Sequence, residues 1–346
     1  LVYLIIAIVL SFVSLSIPIQ LKGHVITLFW AAESVILLWL WQKSRIKVFY
    51  VGFVIISLLT LFSYIMDINN LYSHSHTLAI LSNRLFVTGV VVITAFVINM
   101  LLLKRESDDA SGNMFRPVRI FKIAVMILAY IVPFLELNIQ LAEYTDHNYY
   151  GTSSFRYLTL ATFTTLYVAV LGIIYNKNVS SKKYIFGLLY FSVCLYAVFY
   201  TIMATDLRYD IFKFSDEIYP VSYFSVHLLS LPAIAYIVYL LIKNIKSLPE
   251  KQSVWFSWLL TVLVVVILSV ETDNLVIWLS GNYQNYDTLL YDVHTFGYPI
   301  LWGVIAMILM IWGLNRKEAL LRKISLVFFG LIIIKFYAYD VWKMSQ

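Results

Sequence analysis

The chain has 346 residues, 61% of them hydrophobic, 17% aromatic and only 13% charged, with a mean hydropathy of +0.83. Ordinary soluble domains carry about 25% charged residues, so a water-soluble globule is excluded. The net charge of +6 would suit nucleic acid in a soluble protein, but here the basic residues sit in short loops between apolar runs, where they set topology and meet anionic lipid headgroups.

A helix needs about 20 apolar residues to cross the hydrocarbon core. The pattern predicts an all-α, polytopic transmembrane bundle of about 11 helices. In chain order they cover 1–18, 24–41, 48–66, 85–103, 120–138, 157–175, 184–205, 219–242, 254–271, 296–314 and 323–340. The runs 85–103, 184–205, 218–242, 252–270 and 295–315 hold no formal charge, which buried helices of soluble proteins rarely sustain. The chain begins at Leu1 rather than Met, which points to a processed chain or part of a longer one. The lone Cys194 falls inside a predicted span, so no disulfide forms within the chain.

Charge is sorted between the loops. Every second loop is basic, beginning with Lys43, Arg45 and Lys47, then Lys104, Arg105, Arg116, Arg119 and Lys122. Lys177, Lys182 and Lys183 follow, then Lys243, Lys246 and Lys251, and finally Arg316, Lys317, Arg322 and Lys323. These are 18 of the 25 basic residues. The positive-inside rule places them in the cytoplasm, with the N-terminus of this segment inside and the C-terminus outside. The opposite side receives His24, His74, His76, His147, His227 and His294, most of the acids and many tyrosines.

Three segments share an order of features. An aromatic residue (Trp30, Tyr167 or Trp302) opens a helix, a basic turn follows, and the return helix ends at Asp67, Asp206 or Asp340. The spans between these markers are 37, 39 and 38 residues, and Glu136 and Glu271 each lie 31 residues before the next aromatic marker. Within one transmembrane domain over 1–346 this suggests four-helix repeats, at 1–103, 120–242 and 254–340, in parallel orientation. The alternative is that hairpins with basic turns simply look alike within one sequence.

Several residues stand out chemically. Glu33 falls mid-helix, where a carboxylate is costly unless paired or protonated, so it serves either coupling or helix–helix bonding. Glu136 and Glu271 end predicted helices and could converge on a vestibule as hydrogen-bonding or acid–base groups, or simply face water. Arg84 could pair with Asp67 or bind an anion. Lys335 and Asp340 lie one turn apart or little more near the end of the last helix, where a lysine ordinarily snorkels. His74, His76, His147, His227 and His294 mark a polar outer face. The pair His74 and His76 has metal-ligand spacing, but no third ligand accompanies it, and no metal or cofactor is implied. No phosphate-binding loop, nucleophile elbow or cysteine pair occurs.

Two terminal segments carry a resemblance. One runs from Ser16 through Trp30-Ala31-Ala32-Glu33 to Leu37-Leu38-Trp39-Leu40. The other runs from Leu301-Trp302 to Gly313, with Leu321-Arg322 and Lys335 followed by Asp340. With Leu81-Ser82-Asn83-Arg84 they resemble a bacterial multi-pass family, the domain of unknown function 2339. The resemblance implies a bacterial cytoplasmic membrane location and no particular activity. Three functions follow from the residues. The first is transport or binding of a small polar or lipid-linked solute in an outward-facing polar cavity. The second is a membrane-embedded transferase or hydrolase of envelope lipid or glycan. The third is a non-catalytic scaffold. Partners in all three are membrane lipids, and in addition other envelope membrane proteins or a second copy of the chain.

Overall fold

The computed structural model describes residues 23–72, 79–109, 115–147, 153–175, 182–213, 221–280 and 285–337, with isolated positions before 23. Among them there is no strand. Nine helices among the described residues are long and apolar enough to cross a membrane. The predicted helix at 1–18 lies mostly outside the described residues. By their contacts the helices form two units, residues 1–143 and 144–346.

The first unit contains α1 (His24–Ser44), α2 (Lys47–Tyr72), α3 (Arg84–Asp109) and most of α4 (Phe115–His147). Helix α1 packs on both α2 and α3. The turn between α1 and α2 is short because Arg45 takes a left-handed conformation, φ 58°, and its N–H donates to the Trp41 carbonyl at 2.8 Å. Its guanidinium lies over the Trp41 ring and bonds the Glu106 carboxylate. Phe121 stacks on Phe53 and lies tilted against Phe96. Gly89 on α3 is required by proximity: a Cβ there would stand 2.5 Å from the Tyr64 hydroxyl and 2.7 Å from Val132.

The second unit contains α5 (Ser153–Tyr175), α6, α7, α8 (Glu250–Ser280), α9 and α10 (Ala319–Lys335). Helix α6 is continuous from Lys182–Leu195 through a π-turn at Tyr196–Tyr200 into Thr201–Phe212. Helix α7 opens with a short 3₁₀ turn, Val221–Phe224, and continues as Ser225–Ile245. Helix α9 runs through Tyr286–Asp292, a second π-turn at Val293–Gly297, and Tyr298–Asn315. Helices α5, α6 and α7 pack around Leu158, Leu189, Val193, Leu207, Ile237 and Leu240. Helices α9 and α10 form a tight hairpin, joined to α8 by Val265, Ala306, Ile324 and Phe328. Its turn repeats the device seen after α1: Lys317 is left-handed at φ 55°, and the Glu318 N–H reaches back to the Gly313 carbonyl at 2.9 Å.

Several helices run further than hydropathy predicts. Helix α6 reaches Phe212 rather than 205, α8 reaches Ser280 rather than 271, and α9 begins at Tyr286 rather than 296. The extra turns carry Arg208, Asp273, Asn274 and Tyr286, which average hydropathy assigns to loops. They stay helical because these polar groups bond one another.

Candidate functional site

The extended ends of α6, α7, α8 and α9 meet, and their polar side chains converge. Alternate helices run in opposite directions, so the end of α6, the start of α7, the end of α8 and the start of α9 share one end of the second unit. At about 1.5 Å of rise per residue, His227 lies ~9 Å in from that end, Glu271 ~14 Å and Tyr200 ~18 Å.

His227 is 1% exposed. Its Nε2 is 2.6 Å from Glu271 Oε2 and its Nδ1 is 3.1 Å from the Tyr200 hydroxyl. Tyr200 is in turn 3.0 Å from the Thr162 hydroxyl on α5. With its proton on Nε2, His227 donates to Glu271 and accepts from Tyr200, which accepts from Thr162. Four helices thus supply one continuous hydrogen-bonded chain. Tyr196, one turn before Tyr200, stacks on it at 4.1 Å and shares a hydrogen bond with Ser230, 2.8 Å away.

A second cluster adjoins the first through Asn274. Its amide nitrogen lies 3.5 Å from Glu271 Oε2, while its oxygen accepts from Arg208 Nη1 at 2.8 Å. Arg208, 3% exposed, also donates from Nε to the Tyr286 hydroxyl at 3.3 Å and stands 3.9 Å from Asp273 Oδ2. The same Asp273 oxygen meets His294 Nε2 at 3.1 Å and accepts from the Tyr298 hydroxyl at 2.9 Å. Glu271 Oε1 and Asp273 Oδ1 are both buried with no hydrogen-bond partner. Burying a charge is expensive unless it is paired, so a concentration of Arg, Asp, Glu and His inside an apolar bundle is a candidate functional site.

Both π-turns fall at this cluster. Tyr196 and Tyr200 bound the turn in α6, and His294 sits within the one in α9. A π-turn inserts one extra residue into a helical turn and re-aims the side chains beyond it; such insertions concentrate at functional sites. The Lys335 ammonium donates to the His294 carbonyl at 2.9 Å, a carbonyl within that turn.

The first unit holds the remaining described candidates apart from this cluster in sequence and in partners. Glu33 on α1 is 2% exposed. The adjoining Ser34 hydroxyl donates to the Ala31 carbonyl at 2.8 Å and accepts from the Asn99 amide at 3.0 Å. Asp67 accepts from Thr27 at 2.6 Å. Arg84 is exposed, and among the described residues no ion pair joins it to Asp67. Glu136 accepts from the Asn83 side chain, from the Leu81 N–H at 2.9 Å and from Gln140 at 3.1 Å. It therefore anchors the loop that leads into α3. His74, His76 and Asp340 lie outside the described residues, as does the side chain of His147. Among the described residues, no group of three or more His, Cys, Asp or Glu is placed to hold a metal ion.

Sequence reasoning singled out Glu271, His227 and His294 but not Arg208, Asp273, Asn274, Tyr196, Tyr200 or Tyr298 as members of one site. One signal was available: Glu271 and Asn274 are three apart, and Tyr196, Tyr200 and Arg208 recur at four and eight, the spacing of one helical face.

The family described as "Predicted membrane protein (DUF2339)" matches residues 1–346. The chain belongs to this family. Comparison with curated proteins and with solved structures gives no match. The DUF2339 assignment agrees with the apolar helices and leaves the chemistry of the cluster to be argued from its own geometry.

Proposed function

We propose that this DUF2339 protein is a bacterial inner-membrane protein that binds a small polar or lipid-linked solute at the end of its second unit, and moves that solute in exchange with a proton. The chain Thr162–Tyr200–His227–Glu271 carries this reading. It reaches from the interior of the bundle to a carboxylate with a buried, unpartnered oxygen, and every member can pass a proton to the next. The sorting of basic loops supports placing this end on the outer face of the membrane.

The test is proton movement in vesicles. The purified chain is reconstituted around a pH-sensitive dye, and amino acids, sugars, polyols and amino alcohols are added outside. At least one solute should change the internal pH with the native chain and fail to do so with Glu271→Gln. If no solute separates the native chain from Glu271→Gln, the reading is wrong.

One observation favours a second reading, a transferase or hydrolase of envelope lipid or glycan. Buried Asp273 holds His294, whose side chain is 46% exposed, as a carboxylate holds a general base. Turnover of lipid in the same vesicles, detected by mass spectrometry and lost in His294→Gln, would establish it in place of transport.

A further inference from the structure

An exposed ion pair leads, contact by contact, to the second-unit cluster. Lys213, just beyond the end of α6, donates to Asp287 Oδ1 in the first turn of α9 at 3.0 Å. Its ammonium also lies over two rings, 5.0 Å from the centre of Tyr209 and 5.9 Å from that of Tyr286. The two rings meet edge to face at 6.1 Å. Tyr286 is 5% exposed, and its hydroxyl accepts from Arg208 Nε at 3.3 Å. Arg208 precedes Lys213 by five residues, which sets it ~7.5 Å deeper along the helix axis. The order from solvent inward is therefore Asp287 and Lys213, with side chains 74% and 35% exposed, then Tyr286, then Arg208 and Asn274.

Resting on the binding role proposed above, we infer that Lys213, Asp287 and the Tyr286 ring form a closure over Arg208 that opens to admit the solute. The outer contacts are weak. An exposed ion pair and an exposed cation–π contact each contribute little, because water and salt compete for both. The Arg208–Tyr286 bond is longer than the usual ~2.9–3.0 Å, so it holds the ring loosely. Rotation of three side chains undoes the closure. Arg208 Nη1 meanwhile stays on Asn274 at 2.8 Å, so the cluster behind keeps its arrangement. Opening leaves Arg208 Nε without the Tyr286 oxygen, and a buried guanidinium donor without an acceptor is costly. Water fills that place first, and an acceptor oxygen of the solute then replaces it. The closure thus also selects: its solute carries a hydrogen-bond acceptor that stands in for the Tyr286 hydroxyl.

The full chain in nanodiscs is treated with p-hydroxyphenylglyoxal, which modifies accessible arginines, and each site is followed by peptide mass spectrometry. Arg84, exposed in the first unit, is the reference. In the native chain Arg208 should react about tenfold or more slowly than Arg84. Asp287→Asn and Lys213→Gln should each speed Arg208 about two- to fivefold and leave Arg84 unchanged. Lys213→Arg keeps a cation over the rings and beside Asp287, so it should keep Arg208 protected. Asp287 is mostly exposed, so its substitution acts on the closure and not on the core. Arg208 as reactive as Arg84 in the native chain, indifferent to both Asp287→Asn and Lys213→Gln, or speeded equally by Lys213→Arg overturns the inference. Solute-driven proton movement in a chain that gives any of these results leaves proton-coupled transport intact and removes only the closure. Arg208 labelling that follows the ion pair, in a chain for which no solute moves protons, upholds the closure and removes only transport.

Discussion

The imidazole of His227 and the carboxylate of Glu271 meet at 2.6 Å between α7 and α8, and the second ring nitrogen of His227 is held by Tyr200. Both ring nitrogens are thus occupied, which fixes the orientation of the ring. Tyr196 and Tyr200 face this pair from α6, and Asn274 on α8 links it to Arg208.

Glu271→Gln should therefore leave the fold within about 1 kcal/mol of native, because an amide still reaches His227, while abolishing proton exchange. Glu271→Ala leaves His227 Nε2 without a partner and should cost about 1–3 kcal/mol. Reversible unfolding in bicelles measures the first effect and dye-loaded vesicles the second. Equal loss of stability in both variants would argue for a purely structural pair.

Gly89→Ala should destabilise the first unit by about 1–3 kcal/mol, since its Cβ would enter the space of the Tyr64 hydroxyl and Val132. Val132→Ala opens that space, so the double variant should recover part of the loss that the two single changes predict when added. Additive losses in bicelle unfolding would show that the close approach of α3 is not what requires glycine.

Asn83 serves two neighbours at once. Its side-chain oxygen accepts from the Phe86 N–H at 2.8 Å, capping α3, and its amide donates to Glu136. Asn83→Ala should cost about 1–2 kcal/mol. Asn83→Asp keeps the cap but sets a second carboxylate against Glu136, so at neutral pH it should be less stable than Asn83→Ser, which keeps the cap without a charge. Unfolding of the three variants under one condition ranks them.

Lys213, just beyond the end of α6, has its pKa raised, chiefly by its hydrogen bond to Asp287 at 3.0 Å. Asp287→Asn should move it back toward the ordinary lysine value. The stabilisation tied to a raised lysine pKa is present below the unfolded value and is lost as pH rises through the folded one. The side chain is solvent-screened, so the effect belongs to alkaline solution and to titration rather than to stability at neutral pH. Titration of reductively methylated lysine by carbon NMR would show the shift.

The helical membrane fold was legible because transmembrane spans are long and their apolar runs uninterrupted; the turns at Arg45 and Lys317 fall where basic clusters predict them. The site was legible only in fragments. Glu271 and His227 stood out as ionisable residues in or beside apolar runs. Their assembly with Arg208, Asp273 and Asn274 did not, because those residues lower the average hydropathy below that of a membrane span. Their mutual bonds, which no single-sequence window contains, keep them helical. The two π-turns were invisible for a similar reason: Tyr196–Tyr200 and Val293–Gly297 have compositions that an ordinary helix would accept. Glu33 drew attention for its depth, yet depth alone did not reveal its neighbours, such as the Asn99–Ser34 hydrogen bond beside it.

The basic loops predict a cytoplasmic position for themselves, and that orientation can be checked directly. Cys194 is the only cysteine and is partly buried, so it is first replaced by Ser. Single cysteines are then introduced at Ser44, Ser111, Ser181 and Ser247, each in a basic loop or at its edge. In intact cells all four should resist a membrane-impermeant thiol reagent and react with a permeant one. A cysteine at Ser222, beside the start of α7 and the polar cluster, should behave oppositely and react with the impermeant reagent. Labelling of all four loop positions by the impermeant reagent would invert the protein. The cluster of His227, Glu271, Arg208 and Asp273 would then open toward the cytoplasm, and its solute would have to be sought there.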